Sequence, residues 1–167
     1  MKFGAERVAA MFTRLSAVGQ AEGIDFQYGG NTGSTRDSHR LIWYAGQEET
    51  KRQTETQAQT PSSGSVVGGL QTRVVEKLFQ AYFKQEKNIT DSAVLLEAAV
   101  GAGLDRGEVQ KLLESDAGGA EVDLEAQTAS RRLVTGVPHF TVQGRYAVEG
   151  ADEPETFLEV FERVKQE

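Results

Sequence analysis

Cysteine is absent from the 167 residues. Disulfide staples, thiolate metal sites and cysteine nucleophiles are excluded together, because each requires a sulfur. Histidine is nearly absent too, with only His39 and His139. A metal would have to rest on carboxylates, so no metal site and no cofactor are expected. No apolar run approaches the roughly 20 residues that cross a bilayer. Met1-Lys2-Phe3-Gly4 passes straight into a charged amphipathic segment, without the apolar centre of a signal peptide. A cytoplasmic chain without membrane contact is the expectation. A basic cluster is also lacking: 18 Lys and Arg are scattered among 25 Asp and Glu, for a net charge of -7. A nucleic-acid surface needs gathered cations, so no such partner is expected.

What is present suits one domain spanning residues 1–167. The hydrophobic fraction is 38%, with 8 Phe, 4 Tyr and 1 Trp, enough for a core and more than a disordered chain carries. Val8, Met11, Phe12, Leu15 and Val18 recur at helical spacing, predicting an amphipathic helix over about 4–20 that Gly19 and Gly23 close. Ile24, Phe26 and Tyr28 alternate as a short extended segment. A second helix is expected from Thr35 or Arg36 through Leu41, Ile42, Trp43 and Tyr44. From Gly46 to Gly69 the composition turns to Gln, Thr, Glu, Ser and Gly, which predicts a flexible surface loop over 46–69 because little apolar surface offsets the entropy of ordering.

Leu70, Val74, Val75, Leu78, Phe79, Tyr82 and Phe83 make the strongest helical stripe and are expected in the core. Thr90 or Asp91 should cap a helix over 94–102 that Gly103 ends. Asp105 and Glu108 have capping-box spacing before another helix, and a further one is expected over about 122–133. Val134 to Val142 and Arg145 to Val148 then read as a hairpin about Gln143-Gly144. Pro154 opens a last helix striped by Phe157, Leu158, Phe161 and Val164.

Two strands alone are rarely stable without more sheet beside them. Either the helices bundle by themselves with a hairpin appended, or further strands belong ahead of Met1. The motifs favour the second. Gly136-Val137-Pro138-His139-Phe140, followed by a strand, Gly144, a second strand and a helix, resembles the C-terminal half of a thioredoxin fold. Asn31-Thr32-Gly33-Ser34-Thr35-Arg36-Asp37-Ser38-His39-Arg40-Leu41 resembles the opening of the helical insert in the DsbA-like family, closest to its FrnE-like and 2-hydroxychromene-2-carboxylate isomerase-like branch. Leu70 to Phe83 is similar to the next insert helix, Asn88-Ile89-Thr90-Asp91 to the cap after it, and Gly144 to Ala151 to the closing hairpin. Ser34 departs from the pattern, standing where relatives place Asn.

The resemblance implies an α/β, DsbA-type thioredoxin-like fold: a large helical insert over about 35–133, a C-terminal ββα unit over 134–164, and an N-terminal βαβ part missing from the chain. The family's activity is dithiol–disulfide exchange, and its Cys-Pro-x-Cys motif belongs to that missing part. The chain is therefore expected to be inactive and to hold no catalytic residue of its own. Val137 and Pro138 match the family's cis-proline loop, although an ordinary turn explains a lone Val-Pro equally.

Arg36, His39 and His139 are candidate contacts for glutathione or a protein substrate. Each has a structural alternative: pairing of Arg36 and Arg40 with the adjacent Asp37, a helix-start role for His39, and a sheet position for His139. The Gly29 to Gly33 run lacks the lysine of a phosphate loop and reads as a turn. Glu121, Asp123 and Glu125 read as a solvated helix face. A scaffold using the exposed side of the insert, a glutathione-using isomerase, and an oligomer formed through an open sheet edge remain as alternatives.

Overall fold

The polar run after Tyr44 is helix where a loop was expected. The computed structural model describes residues 5–57 and 68–166, and in it α2 runs unbroken over Arg36–Gln57. Residues 46–57 are therefore not a flexible loop, and 58–67 lie outside the described residues. Composition alone misjudges the segment because Gln, Glu, Lys and Arg are good helix formers once a helix has nucleated. Its side chains also have partners: Lys51 pairs with Glu48 at 2.6 Å, and Thr50 and Thr54 hydroxyls donate to the carbonyls of Gly46 and Thr50.

The other elements are α1 (Ala5–Ala21), α3 (Leu70–Phe79), a π-helical turn (Gln80–Lys84), α4 (Ser92–Ala102), α5 (Arg106–Glu114), α6 (Gly119–Arg131), β1 (His139–Val142), β2 (Tyr146–Glu149) and α7 (Pro154–Lys165). The caps follow their sequence cues. Asp91 accepts from the Ala93 amide and Asp105 from the Glu108 amide, while Gly103 closes α4 at φ +99°. The extended reading of 24–28 yields no strand, but the Gln27 amide donates to the Phe83 carbonyl at 2.7 Å. Among the described residues no helix is long and apolar enough to cross a membrane.

The chain divides into two compact units, Met1–Val122 and Asp123–Glu167. In the first, α2, α3, α4 and α5 pack in sequence around Leu41, Val74, Leu78, Leu95, Ala99 and Val109. Charged side chains from one helix satisfy the ends of the next. Glu49 of α2 accepts from the Gln71 amide at the start of α3, and Arg73 of α3 donates to the Ala102 carbonyl at the end of α4. These are the backbone groups that a helix leaves unpaired at its termini, and the charge signs match the helix dipole.

The second unit carries the hairpin. β1 and β2 are antiparallel, with Phe140 opposite Val148 and Val142 opposite Tyr146. Gln143 and Gly144 both take positive φ, 54° and 70°, the geometry a tight primed turn demands. β1 begins at His139, so the strand expected from Val134 is shorter than its apolar run. Phe140 meets Phe157 of α7 edge to face at 5.0 Å, and Val148 is buried. The sheet's other face holds His139, Thr141, Ala147 and Glu149.

Candidate functional site

In the first unit, Gly19 makes room for an aromatic cluster. A side chain there would collide with the Phe26 ring, so glycine lets the segment after α1 lie against that helix. Phe12 then stacks on Tyr28 at 4.3 Å, and Phe26 meets Phe83 at 5.8 Å. Phe79 and Tyr82 approach Phe83 edge-on at 5.6 and 4.9 Å. The π-helical turn at 80–84 presents Phe83 to this cluster, and such turns recur at functional places in helices.

Two clefts flank the cluster and share Phe79 and Phe83. One, of about 320 Å³, is lined by Thr32, Thr35, His39, Ile42, Val75 and Ile89 among others. The second, of about 620 Å³, is walled by Leu15, Ile24, Phe26 and Tyr28, with Glu76, Gln80 and Lys84 also lining it. Among the described residues the buried Tyr28 hydroxyl has no hydrogen-bond partner. The stripe from Leu70 to Phe83 is thus only partly core: Leu70, Val74 and Leu78 are buried, but Phe79 is 58% exposed. A stripe so wide serves two surfaces, the α2–α4 core on one side and the clefts on the other.

His39 lines the smaller cleft from the first turns of α2. Its Nδ1 lies 2.8 Å from the Thr35 carbonyl, so that nitrogen donates to it. Arg36 reaches across the unit to the segment after α5. It makes a two-pronged contact with Asp116, 2.6 Å at the nearer oxygen. A ligand carboxylate would have to displace Asp116 to reach it. Arg40 pairs with Asp37 at 2.9 Å.

The Arg36 guanidinium holds the Asp116 carboxyl below its ordinary 3.8. A depressed folded-state pKa contributes stability above the unfolded value and loses it as pH falls through the folded one. The stability difference between the wild type and Asp116→Asn is therefore expected to be fully present at pH 7 and to fade as pH falls from about 3.8 toward the lower folded-state value. Urea unfolding at pH 7, 5 and 3 measures it. Because Asp116 is well exposed, the difference should be small and should shrink with salt.

In the second unit Val137–Pro138 is a cis peptide at the start of the hairpin. Val137 is 90% exposed, and the Pro138 carbonyl accepts from the Gly150 amide at 2.8 Å, fixing the loop to the end of β2. His139 begins β1, and its Nε2 is 3.4 Å from the Thr141 hydroxyl on the same face. Glu121, Asp123 and Glu125 are exposed on α6.

Sequence reasoning missed the most buried charge among the described residues. Arg40 is 2% exposed, and its guanidinium donates to the carbonyls of Leu112, Ser115 and Ala117 as well as to Asp37. Its adjacency to Asp37 concealed three partners more than seventy residues away. It also missed the aromatic cleft, whose walls come from α1, the 24–28 segment and α3.

A comparison with curated proteins found no match to the chain. The family model described as "DSBA-like thioredoxin domain" matches residues 2–162. That span takes in both units, from α1 through the cis-proline hairpin and most of α7. The chain belongs to the DSBA-like thioredoxin domain family.

Proposed function

We propose that this chain is a binding domain of DsbA-like fold that performs no thiol–disulfide exchange with its own atoms. The family points to thiol–disulfide oxidoreductase chemistry, in which a thiolate attacks a disulfide and a second thiol resolves the mixed disulfide. The observation that carries the proposal is that none of the 167 residues is cysteine. Serine and threonine hydroxyls cannot replace the thiolate, because exchange needs a sulfur on both sides of the transferring bond. What the chain offers instead is an open apolar surface on its helical unit: Met11, Leu15, Val18, Ile24 and Phe79 are 38–58% exposed, and contiguous apolar patches mark binding surfaces. In a dithiothreitol-driven insulin reduction assay, the onset of turbidity should be the same with and without the chain. An earlier onset in proportion to chain concentration would overturn the proposal.

The finer family reading sets the chain in the FrnE-like branch, with a strand, a Cys-Pro-x-Cys helix start and a second strand ahead of Met1. The order of the insert and hairpin motifs supports it, as does Phe140, 40% exposed on β1 while its cross-strand neighbour Val148 is buried. An in-frame Cys-Pro-x-Cys in the coding DNA upstream of Met1 is the expected result, and a stop codon there contradicts it. On the same reading Arg36, His39 and His139 are the residues that would touch glutathione or a protein substrate; without the added strands, the open sheet edge is where an oligomer would form. Calorimetric titration with glutathione tests the first of these, and an absence of heat removes it.

A further inference from the structure

The larger cleft belongs to a patch with a regular pattern. Met11, Leu15 and Val18 are spaced four and three residues apart, so they share one face of α1. They are 44, 42 and 55% exposed, and Ile24 and Phe79 add 38 and 58%. At aromatic and aliphatic side-chain areas this comes to roughly 400–500 Å² of uncovered apolar surface, within the range of the largest patch on a typical monomer. With its polar rim it approaches the roughly 800 Å² per partner of a standard interface.

The rim specifies what covers it. Glu76, Gln80 and Lys84 line the same cleft at intervals of four residues along α3 and the π-helical turn. Among the described residues neither Glu76 nor Lys84 has an ion-pair partner. They stand roughly 12 Å apart at a helical rise of about 1.5 Å per residue, too far to pair with each other. Gln80 is their midpoint. A sequence that reads acid, amide, base at equal spacing is complementary to itself when reversed.

We propose that this face joins two copies of the chain about a two-fold axis beside Gln80, with Glu76 of each copy against Lys84 of the other. In such an isologous contact every favourable pair occurs twice. Gln80 meets its own counterpart, whose amide can both donate and accept. Phe79, Leu15 and Ile24 of each copy then lose their water together, which is the main favourable contribution to association. A partner of unrelated sequence would have no reason to match an acid and a base placed evenly about a central amide. The proposal rests on reading the helical unit as a binding surface.

Sedimentation velocity of the full chain over about 1–100 μM, at low and high salt, tests it together with charge reversal. The wild type is expected to shift from monomer to dimer across that range. Glu76→Lys and Lys84→Glu, each at an exposed position, should each weaken the dimer by roughly tenfold or more, because like charges then face one another twice. The double variant Glu76→Lys with Lys84→Glu should restore it. Far-UV circular dichroism confirms that each variant is folded. A monomer at 100 μM overturns the proposal, as does a dimer that ignores the single reversals or is not restored by the double variant. Neither result touches the absence of thiol exchange, which the insulin assay decides by itself.

Discussion

Replacing Arg40 with alanine is expected to lower the unfolding free energy by about 2–5 kcal/mol, because carbonyls packed around its guanidinium lose their donor at about 1–3 kcal/mol each. Arg40 is 2% exposed, and its four hydrogen bonds tie α2 to the segment that closes α5 and leads into α6. Two of them go to the carbonyls of Leu112 and Ser115 at the end of α5, each at 2.6 Å. Truncation would leave the Ser115 carbonyl without this donor, whereas the Leu112 carbonyl keeps the bond from the Ser115 hydroxyl at 3.0 Å. Arg40→Lys is the informative control. It keeps the charge but replaces the planar fork with a point donor, so it should recover part of the loss and no more. Urea unfolding of the three proteins measures the series, and a change below about 1 kcal/mol in the alanine variant would contradict this role.

Gly118→Ala should cost about 2–4 kcal/mol, from two separate causes. The backbone at Gly118 has φ +76°, where a side chain is disfavoured, and an added methyl carbon would lie 2.5 Å from the Trp43 ring. Glycine is thus needed both for the turn into α6 and for Trp43 of α2 to close over it. Because Trp43 is the only tryptophan, its emission reports on this contact directly. The variant should show lower stability together with a shifted emission maximum. Lower stability with unchanged emission would mean that the backbone term acts alone.

Local chemistry was the most legible part of the fold. Asp91, Asp105, Gly103, Gln143-Gly144 and Pro154 act within a few residues of themselves, and each does in the structure what its type and position suggest. The cis geometry at Val137–Pro138 accords with the family loop that those residues resemble. The polar half of α2 was illegible because its stability comes from partners elsewhere: Glu49 at the start of α3, and Arg52, which donates to the Gly103 carbonyl. A composition window cannot see those contacts. Arg40 was illegible for the same reason, since three of its four acceptors lie beyond residue 111.

The site divides along the same line. The proline loop and the place of His39 at the start of α2 are legible from motif order, whereas the aromatic cleft needs the third dimension. Leu15, Ile24 and Phe79 lie in separate elements, and only the close approach that Gly19 allows Phe26 gathers them into one wall. By sequence Phe79 groups with the core because it stands four residues after Val75. Its exposure shows that apolar periodicity does not by itself separate a core face from a solvent-facing one.

The most direct test of the apolar face as the functional surface is amide hydrogen exchange followed by mass spectrometry, at about 1 μM and about 100 μM chain. Slower exchange at the higher concentration, confined to peptides covering residues 11–28 and 76–84, is the expected result. Exchange that is identical at both concentrations, or slowing confined to the β1–β2 hairpin, would contradict it.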